Sequence, residues 1–169
     1  MKKTIFASIA LLILFSSSCR KNIGNGGTWN FKGVNYNVMG CVAFSGYGQN
    51  VVSNSRVSAA TSSSPDYELT VYFANPMLPQ TSGSYIVIDT NNLSGNEVAI
   101  SLRNGFNSYT GNGGTYYNAP GGNGRNQTVQ VTVSSNRKIS IYGYNIIMRN
   151  DTNPSDSGVL SFNIYQTSP

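Results

Sequence analysis

The chain has 169 residues, with 11 Lys+Arg against 6 Asp+Glu, a formal charge of +5 and no histidine. The missing histidine excludes Ser/His and Cys/His nucleophile systems and removes the commonest metal ligand. The cations Lys32, Arg56, Arg103, Arg125, Arg137, Lys138 and Arg149 are scattered rather than grouped, which argues against a nucleic-acid surface. Charged residues make up only 10% of the chain, with Asn, Ser, Thr, Gly and Tyr in their place. That composition fits an extracytoplasmic β-protein with polar, uncharged loops. It points away from an enzyme, and no cofactor, metal or catalytic residue is expected.

Met1-Lys2-Lys3 opens the chain with positive charge, and residues 4–15 (TIFASIALLILF) are apolar and uncharged. Ser16-Ser17-Ser18 then leads to Cys19. A positive start, a short apolar run and a small-residue exit describe a secretory signal. The run is too short for the ~20 residues of a transmembrane helix. The segment Phe15-Ser16-Ser17-Ser18-Cys19 resembles a lipobox, the lipidation signal of bacterial lipoproteins. Ser16 stands where that motif usually has Leu, a relaxed form similar to those of Bacteroidota lipoproteins. The resemblance implies that residues 1–18 are removed and that Cys19 carries a diacylglycerol and becomes the new N-terminus. The partner implied is an outer membrane, held by two or three acyl chains, firmer than one chain alone.

Residues 19–27, with Arg20-Lys21-Asn22-Ile23-Gly24-Asn25-Gly26-Gly27 after the Cys, are expected to be a flexible tether. Surface-directed members of that lipoprotein class often have acidic residues at this point. Arg20-Lys21 therefore favours the periplasmic face, and two cations also suit anionic head groups.

Residues 28–169 are expected to form a single all-β domain, an antiparallel sandwich of about eight to ten strands; a lipocalin-like closed barrel is the alternative. Thr28-Trp29-Asn30-Phe31 turns at Lys32-Gly33 into residues 34–38. Cys41 lies in the apolar stretch 38–44 and is expected to be buried and inert. With Cys19 lipidated, Cys41 has no disulfide partner; a Cys19–Cys41 bridge is the rival arrangement. Residues 53–65 are polar and Ser-rich, expected to be a mobile loop.

Residues 66–73 (DYELTVYF) alternate, with Tyr67, Leu69, Val71 and Phe73 on one face. Asp66 and Glu68 share the other sense, within the reach of a glycosidase pair, but read as solvated strand residues. Strands follow at 84–88 and 97–103, the second ending at the turn signal Asn104-Gly105. Later strands cover 128–133, 138–148, with Gly143 a bulge, and 158–166. Asn150, Asp151, Asn153 and Asp156 lack the spacing of a calcium loop and read as a turn.

Residues 104–126 form the longest expected loop, with a short strand at Thr115-Tyr116-Tyr117-Asn118. Tyr rings stack on sugars, and amides donate and accept hydrogen bonds. Tyr109, Tyr116, Tyr117, Asn118 and Arg125 are therefore the candidate ligand-binding residues, with a glycan the natural ligand. The alternative is that these tyrosines pack back onto the sheet. An envelope protein met through exposed strand edges is a further possible partner.

Two wider resemblances exist. Gly27-Thr28-Trp29 is similar to the G-x-W that opens lipocalins, which would make Trp29 the base of a barrel holding an apolar ligand. The family's later Thr-Asp-Tyr turn is absent; Pro65-Asp66-Tyr67 shares two letters. The layout from the lipobox to the closing Ser157-Gly158-Val159-Leu160-Ser161-Phe162 resembles small Bacteroidota lipoproteins of unknown function, and it implies no activity.

Overall fold

The computed structural model describes residues 26–44, 56–61, 66–74, 77–89, 93–106, 113–120 and 127–167. These residues form eleven β-strands and no helix. The first hairpin joins β1 (Gly27–Phe31) to β2 (Val34–Asn37) through Lys32 and Gly33, both left-handed at φ 51° and 79°. Two residues with positive φ match the twist of the flanking strands, as a tight hairpin requires. β3 (Gly40–Phe44), β4 (Arg56–Ala60) and β5 (Asp66–Phe73) form an antiparallel meander. β6 (Gly83–Val87), β7 (Glu97–Phe106) and β8 (Gly113–Asn118) follow. β9 (Thr128–Val133), β10 (Ile139–Asn150) and β11 (Ser157–Tyr165) close the chain as a second meander.

All eleven strands belong to one sheet, in the order β2-β1-β11-β10-β9-β6-β7-β5-β4-β3. Only β6 and β7 pair in parallel. β8 bridges β7 and β10, so that β10-β9-β6-β7-β8 closes into a five-stranded ring. The fold is all-β, as expected, and the closed-barrel alternative describes its central ring better than two separate sheets do. Closure removes sheet edges that would otherwise be left unpaired. Val98, Ile100, Leu102, Val129, Val131 and Ile141 project inward from the ring and are buried. Each such side chain contributes about 1.5–3 kcal/mol through burial.

Two arms extend from the ring, β11-β1-β2 and β5-β4-β3. Their inner faces meet. Trp29 of β1 stacks on Tyr36 of β2 at 5.7 Å, and Tyr36 lies 4.6 Å from Tyr67 of β5. At one pole Gly26 N donates to Val38 O at 3.0 Å, and Thr167 N donates to Cys41 O at 2.9 Å. Trp29 is in this inter-arm core, on a strand outside the ring, and not at the base of the barrel.

Several expectations change. Gly26 and Gly27, placed in the tether, are buried in the fold, and β1 begins at Gly27. Residues 56–60, placed in a mobile loop, are β4, with Val57 and Ala59 fully buried between outward Arg56 and Ser58. Small inward residues gave that strand too little hydropathy to stand out. Asn104-Gly105 is not a turn. β7 runs on to Phe106, and Gly105 at φ 73° is the extra residue where the register with β5 shifts. A left-handed glycine serves a bulge as readily as a turn. The expected bulge at Gly143 is present, as a register shift between Gly143 and Ile146. Residues 1–18, the tether up to residue 25, Cys19, Tyr109 and Arg125 lie outside the described residues.

Candidate functional site

β8 gathers the described candidates. Successive residues of a strand face opposite sides. Tyr116 therefore points outward at 44% exposure, whereas Tyr117 points inward at 5%. Tyr117 packs edge-on against Phe31 at 4.9 Å and is a core residue, not a surface contact. Tyr116 and Asn118 remain on the outer face.

The sheet register sets their neighbours. Tyr116 is opposite Arg103 of β7, which is opposite Glu68 of β5. Asn118 is opposite Ser101, then Thr70, then Ser58. The Arg103 guanidinium lies 4.3 Å from the Phe106 ring and 5.3 Å from the Tyr116 ring, and its Nη2 donates to Gly113 O at 2.9 Å. Gly114 leaves room for it, since a Cβ there would meet Arg103 Cγ at 3.2 Å. A cation over an aromatic face is attracted by the ring quadrupole, which steadies both side chains. Asn118 Nδ2 donates to Asp151 Oδ1 at 2.6 Å. Behind them Thr70 Oγ1 donates to Glu68 Oε1 at 3.1 Å and lies 3.2 Å from Ser58 Oγ. Burial raises the Tyr72 phenol on this face above its usual range. The face thus offers one exposed ring, a guanidinium, amide and hydroxyl groups, and two carboxylates, Glu68 and Asp151.

A polar cluster anchors β8 from within. Tyr117 OH donates to Asp156 Oδ2 at 2.7 Å, Asn150 Nδ2 donates to the same oxygen at 3.1 Å, and Lys32 forms an ion pair with Asp156. Lys32 also donates to Tyr117 OH at 3.2 Å and sits 4.6 Å from that ring. The Lys32 ammonium, then Tyr117 and Asn150, bring the Asp156 carboxyl down to about 2. The same bond with Asp156 raises Lys32, against the opposing effect of burial. Asn150 Oδ1 accepts from Thr152 N at 3.0 Å and Asn153 N at 3.2 Å, so residues 150–156 form the expected turn. Among the described residues no group of three or more acidic or cysteine side chains is placed to hold a metal.

Cys41 is buried, and desolvation pushes its thiol up to about 12. A groove of about 360 Å³ lies elsewhere, between the end of β5 and β6, lined by Phe73, Met77, Leu78, Pro79 and Tyr85 among others.

Of the five candidates named from the sequence, Tyr116 and Asn118 lie on this outer face; Arg103 and the Lys32–Asp156 pair were not among them. Arg103 was legible as the outward neighbour of Leu102 in an alternating strand. Lys32 and Asp156 are in turns distant in sequence, and no local pattern joins them. Comparison with protein-family models, curated proteins and solved structures gives no match.

Proposed function

We propose that the protein is a lipid-anchored, non-catalytic binding module of the bacterial outer membrane, facing the periplasm, that takes a glycan on the β8 face. The observation that carries the glycan reading is Tyr116, exposed on a strand and braced by Arg103, with Asn118 one position along the same face. A ring held by a rigid sheet loses little conformational freedom on stacking against a sugar. The signal-like N-terminus and Cys19 support the anchor. Retention of the full chain on a glycan array should fall at least tenfold in Tyr116→Ala, with the thermal midpoint unchanged. Unchanged retention in that variant, or no retention of the parent, sinks the reading. Mass spectrometry tests the anchor separately: an N-terminal peptide beginning at an unmodified residue other than Cys19 overturns it.

A second reading is carriage of an apolar ligand in the groove, where Phe73, Met77, Leu78 and Tyr85 stand beside the polar Gln80, Thr81 and Asn96. It predicts saturable binding of a fluorescent fatty acid that Met77→Asp abolishes.

A further inference from the structure

A six-strand surface lies on the outer side of β2-β1-β11-β10-β9-β6, with its tyrosines at the end of β10 remote from β8. The register aligns Ser84, Gln130, Tyr142, Asn163, Thr28 and Asn37 in one row across all six strands. At ~4.8 Å per strand the row is roughly 24 Å long. A parallel row sets Thr132 and Ser140 beside Tyr165. Tyr142, Tyr144 and Tyr165 are exposed at 50%, 65% and 43%. Gly143 keeps Tyr142 and Tyr144 outward over a packed core, since a Cβ there would come within 2.4 Å of the Phe162 ring.

The outward positions of these strands, as far as Tyr144 on β10, hold no Asp, Glu, Lys or Arg. Charges stand at the ends: Lys32, held by Asp156, and Arg137-Lys138 in turns, and Arg149 on the far end of β10, opposite Ser157. Between the tyrosines stand Asn, Gln, Ser and Thr, with Ile86 on β6 and Val159 on β11 the exposed aliphatics among them. Part of this polar layer is already ordered: Asn30 Nδ2 donates to Asn35 Oδ1 at 2.8 Å, and Asn163 Nδ2 donates to Tyr165 OH at 2.5 Å.

We propose that this face binds an extended, uncharged polysaccharide across the strands, independently of the β8 site. A protein partner would bury many amides and hydroxyls against apolar surface, and each left unpaired is costly. A polysaccharide brings a hydroxyl for most of them and a flat C–H face for each tyrosine ring. An acidic glycan would find no cation along the row itself, since Arg149 stands seven positions along β10 from Tyr142. The length of the row suits several sugar rings rather than one, so binding is a property of chains, not of monosaccharides.

The test is native electrophoresis of the full chain, in detergent, through gels cast with dextran, galactomannan, xyloglucan or polygalacturonate. At least one neutral polysaccharide should retard it, equally at low and high salt. Tyr142→Ala/Tyr144→Ala should reduce that retardation at least tenfold without moving the thermal midpoint, and Tyr116→Ala should leave it in place. The proposal is overturned if no neutral polysaccharide retards the chain, or if the double variant still binds. It also fails if only polygalacturonate acts and salt removes the effect, or if the double variant instead abolishes a self-associated species. Loss in Tyr116→Ala alone would assign the binding to β8 and reject this face.

Discussion

At the scale of single residues, the fold depends on positions where no side chain fits. Gly27 has φ +107°, and a Cβ would lie 1.9 Å from Asn163 O. Gly27→Ala should therefore destabilise the protein by about 2–4 kcal/mol, since both strain and a backbone clash must be relieved. Gly33 has φ +79° with nothing within 4 Å of the added Cβ. Gly33→Ala should cost only the left-handed penalty, about 1 kcal/mol. Urea unfolding of the two variants separates the cases, and equal losses would refute the clash. Asp156 supplies a pH dependence. Its carboxyl is lowered from 3.8 to about 2 in the fold. A depressed acid stabilises the native state above its unfolded value and loses that contribution as pH falls through the folded one. The thermal midpoint of the parent should thus fall relative to Asp156→Asn between about pH 4 and pH 2, the window set by those two values. Parallel curves for the two proteins would remove the role given to Lys32 and Tyr117. The same scale shows what the sequence could and could not reveal. Strand periodicity alone assigns opposite faces to Tyr116 and Tyr117, since the expected short strand at 115–118 already holds both. The pairing of Lys32 with Asp156 needs tertiary contact between turns on different hairpins.

At the scale of elements, strands with strong alternation and bulky inward residues were legible: β5, β7, β9, β10 and β11. β4 was not, because Val57 and the alanines carry little hydropathy, and its place comes from pairing with β3 and β5. The ring was illegible for a related reason. Its closure rests on β8 meeting β10 through just two residue pairs, Arg149 with Asn118 and Asn150 with Tyr117. The parallel contact of β6 with β7 is equally short, Ile86 with Glu97 and Val87 with Val98. By contrast β10 and β11 pair over nearly their whole length. Local opening follows the density of buried contacts and ladder bonds. Native-state hydrogen exchange should therefore be slowest along β10–β11 and, among the hydrogen-bonded amides of the ring, fastest at the Asp151 amide, which donates to Tyr116 O across the closing seam. Tyr117→Phe removes the hydroxyl bonds to Asp156 and Lys32 and should speed exchange at that seam first, while β10–β11 protection changes little. Uniform acceleration across all strands would mean that β8 has no separable opening.

At the scale of the whole molecule, the two arms present a choice between joint and separate unfolding. Trp29 reports on one arm and is the chain's single tryptophan, 1% exposed. Cys41 reports on the other, from a strand at the edge of the sheet. Two sets of contacts bind the arms directly: Tyr36 on Tyr67, and three Thr167 bonds with Cys41 backbone atoms, one at 2.9 Å and two at 3.1 Å. The arms also share one continuous core, from Trp29 and Phe31 to Leu69 and Phe73. A shared core removes the boundary at which a domain would split, and small single-core chains unfold in one transition. In increasing urea, the red shift of Trp29 emission, the loss of far-ultraviolet ellipticity and the labelling of Cys41 by a thiol reagent should share a midpoint. Before that midpoint Cys41 should resist the reagent, because its thiol is buried and held up at about 12. Labelling of Cys41 ahead of the Trp29 shift would show that β3 and β4 open alone. Thr167→Val keeps the backbone bond and deletes the hydroxyl that accepts from Cys41 N and donates to Cys41 O. If the arms depend on that tie, Thr167→Val will separate the two midpoints, with the cysteine moving first; if the common core dominates, both will move together by the same amount. The extent of the buried cluster favours the second outcome.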